Sequence, residues 1–142
     1  TGLFPCGRLD KNTVGLMLIT DDGALGHRLL SPRRHVEKTY RFACRAEVSD
    51  EDRAALENGL RLADGYVTKP ATLTLDPGRT SGTITLHEGK YHQIKRMFGA
   101  VNDNRIVALE RVSFGPLTLD PALGRGDWRY LTEDEISRLR SS

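Results

Sequence analysis

The sequence predicts an α+β domain whose mixed, largely antiparallel sheet is flanked by helices. Three observations carry that expectation. Apolar residues alternate strictly over residues 38–48, and Ile94, Met97, Phe98 and Val101 recur at helical spacing. No repeat, low-complexity tract or linker interrupts the 142 residues, so the elements belong to one unit.

In chain order, the run Leu16-Met17-Leu18-Ile19-Thr20 reads as a buried strand, and Asp21-Asp22-Gly23 supplies turn chemistry after it. Residues 24–30 make a short helix that Ser31-Pro32 ends, because the residue before proline disfavours the helical region. Over 38–48, Tyr40, Phe42, Cys44, Ala46 and Val48 take one face, while Thr39, Arg41, Arg45 and Glu47 fill most of the other. Ser49 caps a helix over 50–58 that Gly59 stops. A hairpin of 71–76 and 83–88 turns through Pro77-Gly78-Arg79-Thr80-Ser81-Gly82. A helix over 91–101 follows, then a strand over 106–114 that Gly115-Pro116 breaks, and a short strand near 128–131. Thr132 with Glu135 three residues on is a capping box for the last helix.

Composition bounds the function class. Hydrophobic content of 38% with 28% charged residues fits a soluble globular chain, and no apolar run reaches the length of a membrane span. No charged-then-apolar leader precedes the first residues. The chain opens almost directly on the Asp10 motif, which suggests a piece of something longer. Net charge is only +2, but Arg28, Arg33, Arg34, Lys38, Arg41 and Arg45 cluster, with Glu37 the lone acidic interruption. Such a patch could follow a phosphate backbone; a solvated basic face reads the same way. Cys6 and Cys44 lack a CxxC partner and read as reduced thiols of a cytosolic protein.

Two stretches carry candidate chemistry. Gly7-Arg8-Leu9-Asp10 puts a carboxylate on a glycine-flanked loop at the entrance to a strand, as a nucleophile, a metal ligand or a turn residue. The helix after Gly89 buries one stripe and carries Tyr91, His92, Lys95 and Arg96 on its other side, which suits an anionic ligand or an ordinary surface. Other chemistries fail. The imitation of a calcium loop at Asp10, Asn12 and Gly15 has Val14 in a ligand position and lacks the bidentate glutamate. His27, His35, His87 and His92 lack zinc spacing, and there is no GxxxxGK loop, dinucleotide fingerprint or GxSxG elbow.

Three ordered blocks resemble the ribosomal RNA pseudouridine synthases. They are Gly7-Arg8-Leu9-Asp10-Lys11-Asn12-Thr13-Val14-Gly15-Leu16 with Thr20-Asp21-Asp22-Gly23, then Glu37-Lys38-Thr39-Tyr40, then the run from Glu88 to Phe98. Leu109-Glu110-Arg111, Gly115-Pro116-Leu117 and Trp128-Arg129-Tyr130-Leu131-Thr132 extend the likeness almost end to end. Ser31-Pro32-Arg33 and the run from Tyr91 to Phe98 lean towards the small-subunit branch, with the large-subunit branch as the alternative. Whole members carry more catalytic-domain sequence and usually an S4-type RNA-binding domain before the aspartate motif; neither is in this chain.

The resemblance implies isomerisation of a specific uridine to pseudouridine in small-subunit (16S) ribosomal RNA, without cofactor or metal, by a cytoplasmic monomer that needs no membrane. It makes Asp10 the nucleophile, with attack at the anomeric carbon, addition to the uracil ring and assisted elimination to a glycal all open. A free aspartate has a pKa near 3.9, and burial against a flipped base raises such a pKa by up to ~3–5, so a neighbouring cation is required. By resemblance Lys95 supplies it. Tyr40 packs on the target uracil, where stacking is worth ~1–3 kcal/mol; from the alternation alone it reads as a core aromatic. Arg8 contacts RNA beside the nucleophile, or pairs with a neighbouring acid. Arg33, Arg34, Lys38, His92, Gln93, Arg96 and Arg111 are further candidate RNA contacts, Arg111 reading equally as a strand arginine paired within the fold. Thr13 and Gly15 shape the loop. Two other classes stand beside this one: a catalytically silent RNA-binding module, and a magnesium nuclease built on Asp10, Asp21 and Asp22, which Asp21-Asp22-Gly23 as a turn disfavours.

Overall fold

The computed structural model describes residues 3–6, 9, 12–30, 36–90 and 92–141. In chain order these form β1 (Phe4–Pro5), β2 (Val14–Gly15), β3 (Ile19–Thr20), α1 (Gly23–Leu30), β4 (Lys38–Cys44) and α2 (Asp50–Asn58). Then come β5 (Thr72–Leu75), β6 (Ser81–Leu86), α3 (Gln93–Ala100), β7 (Ile106–Phe114), β8 (Leu117–Thr118) and α4 (Glu133–Arg140). The larger sheet runs β2-β7-β4-β6-β5 with β8 folded back on β7, and β1 pairs with β3 separately. Among these pairings only β2 with β7 is parallel. The architecture is the mixed, mostly antiparallel α+β arrangement expected. No described helix is long and apolar enough to cross a membrane.

Two-residue alternation sets the two faces of this sheet. On β4, Phe42 and Cys44 are buried while Arg41 before them is exposed and Ala43 between them is half-buried. α2 and α3 cover the buried face, where Leu56, Ile94, Met97 and Phe98 pack against Phe42, Leu73, Ile84, Leu86 and Leu109. The Phe42 and Phe98 rings meet at 4.9 Å, tilted by 55°, a geometry worth ~0.5–1.5 kcal/mol beyond burial. Ser49 and Thr132 close reciprocal capping boxes with Asp52 and Glu135, which start α2 and α4 where the sequence expects them. A second core joins Cys6, Leu18, Leu29, Val36, Phe114, Leu117 and Leu139, drawing α1 and α4 to the β7–β8 end. Cys6 and Cys44 are free, buried thiols.

Four local differences from expectation have physical causes. The 16–20 strand splits, because Val14 and Gly15 pair with Glu110 and Arg111 while Ile19 and Thr20 pair with Pro5 and Phe4. The chain changes partner at Gly15, whose φ is +113°. The second hairpin strand starts at Ser81, since the Asp76 N–H already donates to the Ser81 carbonyl at 2.9 Å. α3 starts at Gln93 because His92 is left-handed, with φ of 46°. Gly115-Pro116, with Gly115 at φ 56°, is a tight turn into β8 rather than a simple break.

The short strand expected over 128–131 does not form. That segment lacks a pairing strand among the described residues, and side chains hold it instead. Arg129 binds both oxygens of Glu135 at 2.8 and 2.9 Å and reaches Asp120 at 2.9 Å. The Arg129 guanidinium, helped by the Thr132 N–H, pulls Glu135 down to about 2.

Gly15 combines a close backbone approach with positive φ. A Cβ there would lie 2.2 Å from the Arg111 carbonyl oxygen, and positive φ disfavours any other L-residue. Gly15→Ala is therefore expected to destabilise by ~2–3 kcal/mol, read from the midpoint of urea unfolding.

Candidate active-site cleft

A cavity of about 270 Å³ lies between the two cores. Its sheet side comes from Lys38 and Tyr40 on β4 and from Leu109, Arg111 and Phe114 on β7. Lys38 and Tyr40 are two residues apart and so share one face of the strand. Tyr40 stands opposite Arg111 in the β4–β7 register and opposite Ile84 in the β4–β6 register. Cys6, Leu9, Thr13, Leu29 and Val36 line the side towards the second core. Tyr66, Lys69, Glu88, Lys90 and Gln93 line the other.

The charges here are uneven. Arg111 is only 2% exposed, and its Nε donates to the Leu16 carbonyl at 2.8 Å. Its guanidinium stands 5.2 Å from the Phe114 ring, and Lys38 Nζ lies 5.9 Å from the same ring. Burial lowers the Lys38 pKa, and the neighbouring Arg111 lowers it further. Among the described residues, neither cation has a carboxylate at ion-pair distance. Lys69 and Lys90 add to the positive lining.

The lone acid lining the cleft among the described residues is Glu88, 9% exposed, and neutral donors hold it. Tyr66 OH donates to Oε1, while the Lys69 N–H at 2.7 Å and Gln93 Nε2 at 2.8 Å donate to Oε2. Burial pushes the Glu88 pKa up, but these three donors outweigh it and leave the carboxyl below the usual range. The same bond to Glu88 drives the Tyr66 phenol up to about 12. Gln93 Oε1 accepts from the Lys90 N–H at 3.0 Å, so the amide is committed at both ends.

The sequence-derived candidates divide accordingly. Lys38, Tyr40, Gln93 and Arg111 meet at the cleft. Asp10, Arg8, Arg33 and Arg34 fall outside the described residues, although Leu9 beside Asp10 does line the cavity. Lys95 is half-buried on α3 and is not among the described residues lining the cleft. His92 is half-buried just before α3, and Arg96 pairs with Asp64. The basic run disperses as well. Arg41 lies on the opposite strand face, paired with Asp76, Arg45 reaches the Asp103 carbonyl, and Arg28 reaches that of Arg140. Tyr66, Lys69 and Lys90 were not foreseen as lining residues. Glu88 and Lys90 stand within the quoted third block, whereas Tyr66 lies in a segment without periodicity.

Because Glu88 is depressed in the folded state, its contribution is present above the ordinary glutamate value near 4.5 and is lost as pH falls through the lower folded value. Melting of the wild type is expected to weaken more steeply below pH 4.5 than melting of Glu88→Gln, which lacks this titration. Parallel acid profiles of the two proteins would contradict the assignment.

A family model described as RNA pseudouridylate synthase matches residues 1–100. An uncharacterized RNA pseudouridine synthase of Bacillus subtilis is 50% identical over 96% of this chain, which spans 58% of that protein. The ribosomal small subunit pseudouridine synthase A of Salmonella typhimurium is 47% identical over 96% of the chain and 59% of its own length. A crystal structure of a pseudouridylate synthase superposes with a TM-score of 0.91 at 42% identity, again over 96% of this chain and 59% of that one.

Proposed function

The chain belongs to the RNA pseudouridylate synthase family, and from that premise we propose that it isomerises a specific uridine to pseudouridine in small-subunit (16S) ribosomal RNA. The observation that carries this reading is the cleft itself. An aromatic ring, Tyr40, and two cations, Lys38 and Arg111, with no carboxylate at ion-pair distance among the described residues, share one cavity with the residue that precedes Asp10. Likeness to the small-subunit enzyme of Salmonella typhimurium favours that RNA over the large-subunit one.

The reaction breaks the bond between ribose C1′ and uracil N1 and joins C1′ to ring carbon C5. The C5 proton leaves and N1 regains one, so atoms and charge balance without any redox partner. Asp10 is the nucleophile of this reading. By each of the three routes open to a carboxylate it must be anionic. A positive lining of Lys38, Lys69, Lys90 and Arg111 favours the charged form against desolvation. An extruded uracil stacked on Tyr40 recovers ~1–3 kcal/mol, comparable to the few kcal/mol that unstacking costs. Lys38 and Arg111 then face the anionic backbone, and the protein works in the cytoplasm as a monomer.

The test is pseudouridine formation on an unmodified 16S transcript. Asp10→Asn is expected to abolish product while keeping RNA affinity within about threefold. Product from Asp10→Asn equal to wild type would falsify the nucleophile assignment. No product from the wild type with RNA still bound would favour the silent binding module. Lys38→Met is expected to weaken RNA binding and to lower the slope of log affinity against log salt by about one, as for loss of a single phosphate contact. Chelator should leave the wild-type rate unchanged, whereas a magnesium nuclease would stop.

A further inference from the structure

Gln93 reads from the sequence as an RNA contact, yet its amide is buried and engaged at both ends. Its Nε2 donates to Glu88, its Oε1 accepts from the Lys90 N–H, and the residue is 4% exposed. Glu88 in turn accepts from three donors that lie in different parts of the chain. Tyr66 and Lys69 belong to the loop between α2 and β5, Glu88 follows β6, and Gln93 opens α3. One carboxylate therefore joins three segments, of which the loop and α3 also meet through the Arg96–Asp64 ion pair. On the cleft side of this junction stands the Tyr66 ring, with Lys90 Nζ 5.0 Å from its centroid.

We propose that Glu88 is a positioning residue of the cleft, and that the Tyr66–Lys90 pair it holds forms a second recognition wall, facing the nucleotide next to the target uridine. The inference deepens the proposed function and rests on it for the identity of the ligand. Tyr40 rises from the sheet on one side, and Tyr66 stands on a loop at the other. A ring carrying an ammonium suits one nucleotide unit: the π-face takes a base or ribose, and the cation takes the adjoining phosphate. A loop makes a poor wall unless something fixes it. The Tyr66 hydroxyl and the Lys69 amide, both on Glu88, fix it at two points, and the Gln93 bridge ties those points to α3.

The neighbours of Glu88 support this division of labour. The hydrogen bond from Lys69 is through its backbone N–H, its ammonium adding only the last of the pulls on the carboxyl, and Lys90 lies over the Tyr66 ring. The carboxylate is held mainly by hydrogen bonds, and the Lys90 ammonium sits at the cleft over the Tyr66 ring. In a glutamine the carbonyl keeps the Lys69 and Gln93 donors, but the NH2 forces the Tyr66 hydroxyl to accept instead of donate and every bond loses its charge assistance, so the junction weakens.

Single-turnover kinetics and RNA affinity of Tyr66→Phe, Glu88→Gln, their double variant and Lys90→Met test the proposal. Tyr66→Phe keeps the ring and removes only its bond to Glu88. It is expected to slow the chemical step severalfold with RNA affinity within about threefold, and Glu88→Gln to slow it about tenfold. The double variant should be no slower than Glu88→Gln alone, because both break one junction. Lys90→Met should instead weaken RNA binding. Amide exchange gives a readout independent of activity: Glu88→Gln should lose protection at Lys69 and Lys90. Multiplicative rate losses in the double variant, or a lowered melting point with unchanged rates, would overturn the positioning role. Should Glu88→Gln fail to fold, Tyr66→Phe with an unchanged rate is enough to overturn it. A wild type that makes no pseudouridine but shows the coupled loss of amide protection would sink the activity and leave the junction standing.

Discussion

The cleft depends on a reciprocal clamp between β7 and the segment that follows the Asp10 loop. Arg111 donates through its side-chain Nε to the Leu16 carbonyl, and the Leu16 N–H donates back to the Arg111 carbonyl, both at 2.8 Å. Gly15 lies flat against Arg111 because it has no Cβ to hold the chains apart. These contacts join β2 to the sheet, turn the chain towards β1 and bury a guanidinium at the base of the cavity. A buried cation with a backbone acceptor and an aromatic ring, but no described acid partner, carries a desolvation cost that burial of apolar surface elsewhere must offset. Its position at a cleft floor is where such a cost serves recognition of an anion.

The cavity is a consequence of having two cores. α2 and α3 close one face of the sheet, and α1 and α4 gather the apolar residues at the β7–β8 end. Lys38 and Tyr40 stand at the border of the two groups, Tyr40 packed partly against the first core, so both side chains line the space between. The same alternation that buries Phe42 therefore delivers Tyr40, half-buried, to the cavity two residues earlier on the same face. Core packing and site construction are here one periodic pattern read at different points along β4.

That pattern explains what was legible in the sequence. β4, α2, β7 and the two capping boxes were readable because short-range periodicity and cap chemistry fix them. Gly15 was readable in type, as a residue that permits positive φ or close approach, and it does both. Long-range choices were hidden. The split of 16–20 depends on Leu18 finding Cys6 instead of continuing along β7, and the failure of 128–131 to pair depends on Arg129 finding Glu135 and Asp120. The described members of the basic cluster part company for a related reason. Neighbours in sequence at positions 38 and 41 face opposite sides of a strand, so Lys38 reaches the cleft and Arg41 meets Asp76 on the other face. Tyr66 was invisible because a loop without periodicity gives no orientation until its hydroxyl finds Glu88.

The manner in which Glu88 is satisfied also bears on the field inside the cavity. A carboxylate surrounded by four cationic lining residues would ordinarily pair with one of them, and each such pair would remove a positive charge from the site. Here an O–H, an N–H and an amide NH2 satisfy it instead, so its acidity is held down mainly by hydrogen bonding rather than by a salt bridge. Lys38 and Arg111, which share the Phe114 ring, have no carboxylate at ion-pair distance among the described residues on the sheet side. Structural rigidity on the Tyr66 side and positive potential on the sheet side are thus obtained from separate groups. A substitution that let Glu88 swing to a lysine would lose both at once, the wall by breaking the junction and the potential by neutralising a cation.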